Sequence, residues 1–191
     1  MKELSLNILD IAQNSVKAQA SRVEIALTET ADTLDISIRD DGCGMKPDFL
    51  AAVTDPFTTT RTTRRVGLGI PLFKLASEQT GGTFSVESKD AETYPDDHGT
   101  CTRAVFLKNS IDFTPLGDVT GTLTVLIQGA PGIRWVFTHA MPGGEVALDT
   151  AELKEVLGDV PLNAPEVLQW ITEYLTEQYA AAAGDAANHS L

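Results

Sequence analysis

Residues 3–19 place Leu4, Ile8, Ile11, Ala12 and Val16 on one side of a helix advancing by about 100° per residue, and Asn7, Asp10, Asn14 and Lys17 on the other. The period then changes. Residues 22–29 (RVEIALTE) and 34–39 (LDISIR) alternate apolar and polar, and a short turn near Ala31–Thr33 joins them as an antiparallel hairpin. A Gly-rich loop, DDGCGM, comes next, followed by a short helix over 47–53 that opens with Pro47. Leu68–Thr80 predicts a second long helix, stopped by Gly81-Gly82. Strands are expected at 83–88 and 100–107, on either side of a polar loop holding Pro95, Asp96 and Asp97.

Such an order is best satisfied by a two-layer α+β sandwich, with helices on one face of a mostly antiparallel sheet. Downstream, Pro115 and Gly117 mark a joint, and 122–128 (TLTVLIQ) and 133–138 (IRWVFT) predict a further hairpin turning at Gly129–Gly132. Asp149 is the expected cap of a helix over 150–157, and Asn163 of another over 165–180, with Pro165 just inside it. The tail from Gly184 is expected to fray. The chain thus divides into a domain over 1–110, a small β-hairpin-plus-helices appendage over 111–183 and a disordered tail over 184–191. Trp135 and Trp170 fall on a strand and a helix of the appendage, where core packing is the expectation.

Composition narrows the function classes. With 42% hydrophobic and 21% charged residues, the 191-residue chain has the makeup of a globular protein. Its 14 Lys+Arg against 27 Asp+Glu give a net charge of −13, which argues against nucleic acid and anionic membranes as partners. No apolar run reaches the roughly 18–20 residues of a membrane span, and Asp10 and Asn14 interrupt the first apolar stretch, unlike a signal peptide. Two cysteines are too few for a disulfide framework, so a reduced, cytoplasmic setting is expected. The charge is also uneven. Residues 1–112 hold 12 basic and 17 acidic side chains, and 113–191 hold 2 and 10. No acidic residue occurs between Asp55 and Glu78, whereas Arg61, Arg64, Arg65 and Lys74 do. That Thr- and Gly-rich basic loop, opening a helix, suits a bound anion such as phosphate; a plain solvated loop is the alternative.

Four short segments carry candidate chemistry. Asp10 and Asn14 lie one helical turn apart, a carboxylate beside a carboxamide, as the inner wall of a Mg²⁺ site would require. Lys17, further along, is placed to meet a phosphate oxygen; the wet face of an amphipathic helix is the simpler reading. Asp40 closes a strand, where its carboxylate can accept from an exocyclic amine and so tell adenine from guanine, and the glycines of DDGCGM allow backbone to approach a flat ring. Gly67-Leu68-Gly69 stands at the foot of a helix, whose amides and dipole favour phosphate. Gly99-Thr100-Cys101-Thr102 begins a strand.

In this order and spacing the four segments resemble the GHKL superfamily of ATP-binding domains, shared by sensor histidine kinases, anti-sigma-factor serine kinases, gyrase-type topoisomerases and mismatch-repair ATPases. The resemblance covers about residues 3–108 and implies a Bergerat-type fold that binds ATP with Mg²⁺. It makes Asn14, in IAQNSVKAQA, the Mg²⁺-binding asparagine, with Asp10 beside it, and Asp40 rather than Asp41 the adenine-reading aspartate, with Gly42, Gly44 and Met45 around the base. It makes DPFTTTRTTRRVGLGI the lid and second glycine box, with Thr58, Thr59, Thr60, Gly67, Leu68 and Gly69 near the nucleotide and Arg61, Arg64 and Arg65 as candidates for stabilising the transferring group. Thr100 stands in the last box, GTCTRAVF.

The DPF segment, the glycine-led helix LGIPLFKLASEQTGG and Lys17 look like kinase sequence. Asp10 stands where direct hydrolysers of the family carry a Glu base; one methylene shorter, it is compatible with transfer to a protein and neutral about hydrolysis. The strand and helix that commonly precede the first box are missing, and none of His98, His139 and His189 lies in a phosphoacceptor helix. The resemblance therefore implies phosphate transfer in trans, to a His or Ser/Thr of a partner protein. A nucleotide-gated interaction module whose acidic 113–191 segment docks a partner, and a slow ATPase, are the alternatives; homodimerisation stays open. Cys43 and Cys101 fall in two of the boxes, where both could line one pocket or be merely tolerated.

Overall fold

The computed structural model describes residues 3–54 and 67–188. The first helix, α1 (Leu4–Lys17), buries Leu4, Ile8, Ile11 and Ala12 as the periodicity predicts. Asn7, expected on the wet side, is also buried, and its Nδ2 has no hydrogen-bond partner. The reason is that α1 is flanked on both sides, by α3 (Gly69–Gln79) and α4 (Val119–Gly129), so its exposed stripe is narrower than that of an outer helix. The leading amides of α1 are not capped by a side chain. Leu4 and Ser5 instead donate to the carbonyls of Pro115 (3.0 Å) and Leu116 (2.8 Å), so the joint segment supplies the partners a helix start lacks.

The sheet has six strands: β1 (Arg22–Glu29), β2 (Thr33–Asp40), β3 (Thr83–Lys89), β4 (Gly99–Leu107), β5 (Arg134–Met141) and β6 (Gly144–Asp149). Their order is β3-β4-β2-β1-β5-β6, and every pairing is antiparallel except β1 with β5. Alternation turns Val23, Ile25 and Leu27 of β1 and Leu34, Ile36 and Ile38 of β2 toward the helices, and all six are buried. Phe73 of α3 fills the far end against Phe84 and Phe106, with ring centroids 6.3 and 5.7 Å away. Helix α2 (Pro47–Val53) follows the glycine loop, with its proline in the first turn. This is the α+β architecture read from the sequence.

The C-terminal region departs from the reading in its first element. Residues 122–128 form no strand; they lie within α4, whose start is capped by Asp118 accepting from the Gly121 N–H at 2.8 Å. Residues 122–128 begin with an alternation of Thr with Leu and Val and are rich in β-branched side chains, which reads as a strand although local pattern does not fix the element in so short a run. Topology decides it: the chain leaving β4 must pass β2 and β1 to pair in parallel with β1, and a parallel pair needs a crossover connection. The hairpin that does form is β5–β6, closing at Met141 and Gly144.

Asp149 caps α5 (Thr150–Leu157), accepting from the Ala151 N–H at 2.9 Å, as expected. In α6 (Pro165–Asn188), Ala164 rather than Asn163 precedes the first residue, and the helix runs eight residues further than predicted, through an alanine-rich stretch of high helix propensity. The Gln178 side chain accepts from the Ala147 N–H and donates to its carbonyl, both at 3.0 Å, which closes off part of the edge of β6. Trp135 is buried, its indole N–H on the Ala130 carbonyl. Trp170 is not a core residue: it stays 47% exposed, stacked on Tyr174. Among the described residues, no helix is long and apolar enough to cross a membrane.

A polar knot joins this region to the rest. Buried His139 meets the Tyr179 hydroxyl through Nδ1 (2.9 Å), and its Nε2 lies 3.3 Å from Glu29, which pairs with Lys108. Burial holds the imidazole below its ordinary value of 6.5, outweighing the opposing pull of Glu29, and raises the Tyr179 hydroxyl. The folded protein therefore keeps His139 neutral while the unfolded chain takes a proton near pH 6.5, so this contribution to stability is full above that pH and is lost below it. Between about pH 7.5 and 5.5, the melting temperature of the native protein should fall more steeply than that of His139→Gln, as calorimetry would record.

Candidate functional site

The functional segments converge where β2 ends and β4 begins, with Asp40 and Thr100 as partners in the ladder. They surround a cavity of about 760 Å³, the size of an ordinary small-molecule site. Helix α1 contributes Asn14 and Lys17, the glycine loop Gly44 and Met45, and the approach to α3 Gly67.

The Asp40 carboxylate is fixed at both oxygens. Ser15, buried in α1, donates its hydroxyl at 2.6 Å to one, and the Gly42 N–H donates at 2.9 Å to the other. Gly42 is needed there because a Cβ would sit 2.7 Å from the Ala18 Cβ, in a loop already pulled onto α1 by the Cys43 N–H on the Ala18 carbonyl. Gly44 adopts φ +66°, and a Cβ on it would lie 1.9 Å from the Lys89 carbonyl. The neighbouring Asp41 is engaged elsewhere, accepting from the hydroxyl and N–H of Ser21 and from the Arg22 N–H. Burial alone would raise its carboxyl; those hydrogen bonds prevail and hold it below the usual carboxylate range.

The opposite wall rests on Ser88 of β3. Its hydroxyl accepts the Met45 N–H at 2.8 Å and lies 3.0 Å from the Gly99 carbonyl and 2.8 Å from the Thr100 hydroxyl. His98 Nδ1 approaches the Gly42 carbonyl at 2.6 Å. Asp90 also borders the cavity; burial pushes its carboxyl up, but the hydrogen bonds from the Thr93 hydroxyl and N–H and the nearby Lys46 bring it below the ordinary value. Lys46 itself pairs with Glu92 at 2.5 Å, an interaction that raises the ammonium above its usual value.

Of the residues singled out in the sequence, Asn14, Lys17, Asp40, Gly44, Met45, Gly67 and Thr100 line the one cavity. Gly42 supports it from below. Leu68 is exposed and Gly69 begins α3; neither borders the cavity, and nor does Asp10. Asp10 is instead packed against the start of α3, where a Cβ on Gly69 would stand 3.2 Å from its own. Thr58, Thr59, Thr60, Arg61, Arg64 and Arg65 lie outside the described residues. Cys43 borders the cavity, but Cys101 does not share it: strand alternation turns Cys101 to the other face of the sheet, beside a separate hollow of about 380 Å³. Sequence reasoning missed Ser15, Ser88 and Asp90. Ser15 was within reach, one residue after Asn14, whereas Ser88 becomes visible only once the β3–β4 register sets it beside Thr100.

Gly44→Ala should lower stability by more than the about 1–3 kcal/mol of strain at positive φ, because its Cβ would also overlap the Lys89 carbonyl, whereas Gly129→Ala, with open space and ordinary φ, should be neutral or mildly stabilising. Urea unfolding midpoints of the two variants check this.

Residues 2–111, more than half of the chain, match the model of the family described as histidine kinase-, DNA gyrase B-, and HSP90-like ATPase. The chain is 30% identical over 87 residues to the sensor histidine kinase ZraS of Escherichia coli (strain K12), covering 44% of this chain and 18% of that protein. It is 38% identical over 58 residues to the sensor protein kinase FleS of Pseudomonas aeruginosa (strain PAO1), covering 29% and 14%. The chain therefore spans less than a fifth of the length of these relatives. Among solved structures, the MutL ATPase domain of Aquifex aeolicus complexed with ADP shares the fold with a TM-score of 0.52 at 15% identity, covering 82% of this chain and 69% of that one. That share is larger than residues 2–111 supply, so the likeness of fold continues into the C-terminal region.

Proposed function

The chain belongs to the family of histidine kinase-, DNA gyrase B- and HSP90-like ATPases, and from that premise we propose that it holds Mg²⁺-ATP in the 760 Å³ cavity and passes the γ-phosphoryl group to a His or Ser/Thr of a partner protein. The observation that carries the reading is that Asn14 and Asp40, from α1 and β2, face one cavity and are tied together by the Ser15 hydrogen bond. Most of the sequence relatives are sensor kinases, which supports transfer, whereas the MutL relative and the MutL ATPase fold support hydrolysis as the second reading.

The residues fit the groups they would hold. Asn14 offers a hard oxygen donor, as Mg²⁺ prefers. Among the described residues no group of three or more His, Cys, Asp or Glu is arranged for a metal, so an ion at Asn14, with Asp10 beside it, would take most of its ligands from phosphate and water. Bound there, Mg²⁺ supplies charge neutralisation on the phosphoryl oxygens. Asp40 accepts from the 6-amino group of adenine, Lys17 meets phosphate, and Gly67, which borders the cavity just before the uncapped start of α3, brings backbone to the phosphate end. Arg61, Arg64 and Arg65, which precede Gly67 in the sequence and lie outside the described residues, are the cations proposed to stabilise the transferring group. Asp10, one helical turn before Asn14 and next to the first residue of α3, is the other residue of α1 proposed to stand beside the ion. In the transfer, the bond from the γ-phosphorus to the bridging oxygen breaks as one to the acceptor forms, and ADP leaves with the electron pair.

Asn14→Ala should remove Mg²⁺-dependent ATP binding in calorimetry; unchanged affinity contradicts the site. With γ-labelled ATP and a cell extract, label on another protein supports transfer. Free phosphate alone makes the protein an ATPase, and neither product despite binding makes it a nucleotide-gated adaptor.

A further inference from the structure

Behind the base end of the cavity, one hydroxyl joins three segments of chain. Ser88 meets the Met45 N–H from the glycine loop, the Gly99 carbonyl from the start of β4, and the Thr100 hydroxyl next to it. A serine hydroxyl has one proton to donate and two lone pairs to accept with. The Met45 N–H can only donate and the Gly99 carbonyl can only accept, so the Ser88 proton goes to Gly99. That leaves one Ser88 lone pair, and the Thr100 hydroxyl fills it by donating. With its proton turned back toward β3, Thr100 shows the cavity lone pairs alone. Its ladder partner Asp40, already accepting from Ser15 and Gly42, is an acceptor too.

We infer that Ser88 is a positioning residue which fixes the Thr100 hydroxyl as an acceptor and so sharpens the choice of a 6-amino purine over a 6-oxo purine. The inference rests on the reading of the cavity as an adenine-nucleotide site and extends that site to β3, outside the four sequence segments. A 6-amino group brings protons that two acceptors can share. A 6-oxo group sets a third acceptor against them with no proton between, which rejects the wrong base by leaving polar groups unpaired. Without Ser88 the Thr100 hydroxyl is free to rotate and donate to the oxo group.

The test is the ratio of Kd for GTP to Kd for ATP, both with Mg²⁺, by calorimetry on the full chain. The native protein should prefer ATP. In Ser88→Ala the ratio should fall about tenfold, the worth of one hydrogen bond, whereas Ser88→Thr, which keeps the hydroxyl, should restore it. Thr100→Val should lower the ratio as well, and the double variant Ser88→Ala/Thr100→Val should go no further than Thr100→Val alone. If Ser88→Ala does not fold, Thr100→Val carries the test, since it removes the other end of the same bond. An unchanged ratio in Ser88→Ala and Thr100→Val, even with both affinities weakened, reduces Ser88 to a structural role and overturns the inference alone. A native protein that binds neither nucleotide overturns the adenine reading and this inference with it.

Discussion

The short hydrogen bond from Ser15 to Asp40 fixes the distance between α1 and the end of β2, and the chemistry of the site depends on that distance. Asn14 and Lys17 ride on the helix, Asp40 on the strand, and the cavity exists because the two are held side by side. The same contact orients the carboxylate. With Ser15 on one oxygen and the Gly42 N–H on the other, Asp40 cannot rotate without breaking one of them. A preset acceptor costs a ligand less ordering than a mobile one, and it discriminates between bases that differ by a donor.

The C-terminal half enters the account as a support for α1. The carbonyls of Pro115 and Leu116 receive the first amides of α1, α4 lies along its flank, and β5 continues the sheet from the free edge of β1. The helix that carries Asn14 is therefore anchored at its start by residues more than a hundred positions away, and at its end by the glycine loop. The acidity of this half, read from composition as a docking surface, is partly consumed within the fold: Asp118 and Asp149 cap helices, and Asp149 pairs with Arg134 as well.

How much of this was legible depended on the range of the interactions. The first hairpin, both long helices of the N-terminal part and the β3–β4 pair follow from local period and turn chemistry, and the structure has them within a residue or two. The placement of Asn14, Asp40, Gly44 and Thr100 around one cavity was legible as well, but only through the resemblance of four ordered segments to the boxes of the GHKL superfamily, since nothing local brings residues so far apart in sequence together. What failed was set by tertiary partners. Residues 122–128 carry β-branched side chains suited to a strand, yet the crossover to β5 requires a helix. Asn7 has a polar side chain, yet two neighbouring helices bury it. Cys43 and Cys101 belong to neighbouring segments, yet pleat alternation in β4 turns Cys101 to the face away from the cavity that Cys43, in the glycine loop, borders. Ser88 lay outside every motif and acquires meaning only from register.

Cys43 borders the cavity and is exposed, while Cys101 faces the other side of the sheet, so the molecule carries its own reporter and its own control. The most direct test of the central claim is the alkylation rate of each thiol, followed by mass spectrometry with and without saturating Mg²⁺-ATP. Occupancy of the cavity between α1 and the end of β2 predicts that nucleotide slows Cys43 several-fold and leaves Cys101 unchanged. Equal rates at Cys43 with and without millimolar nucleotide would contradict the account.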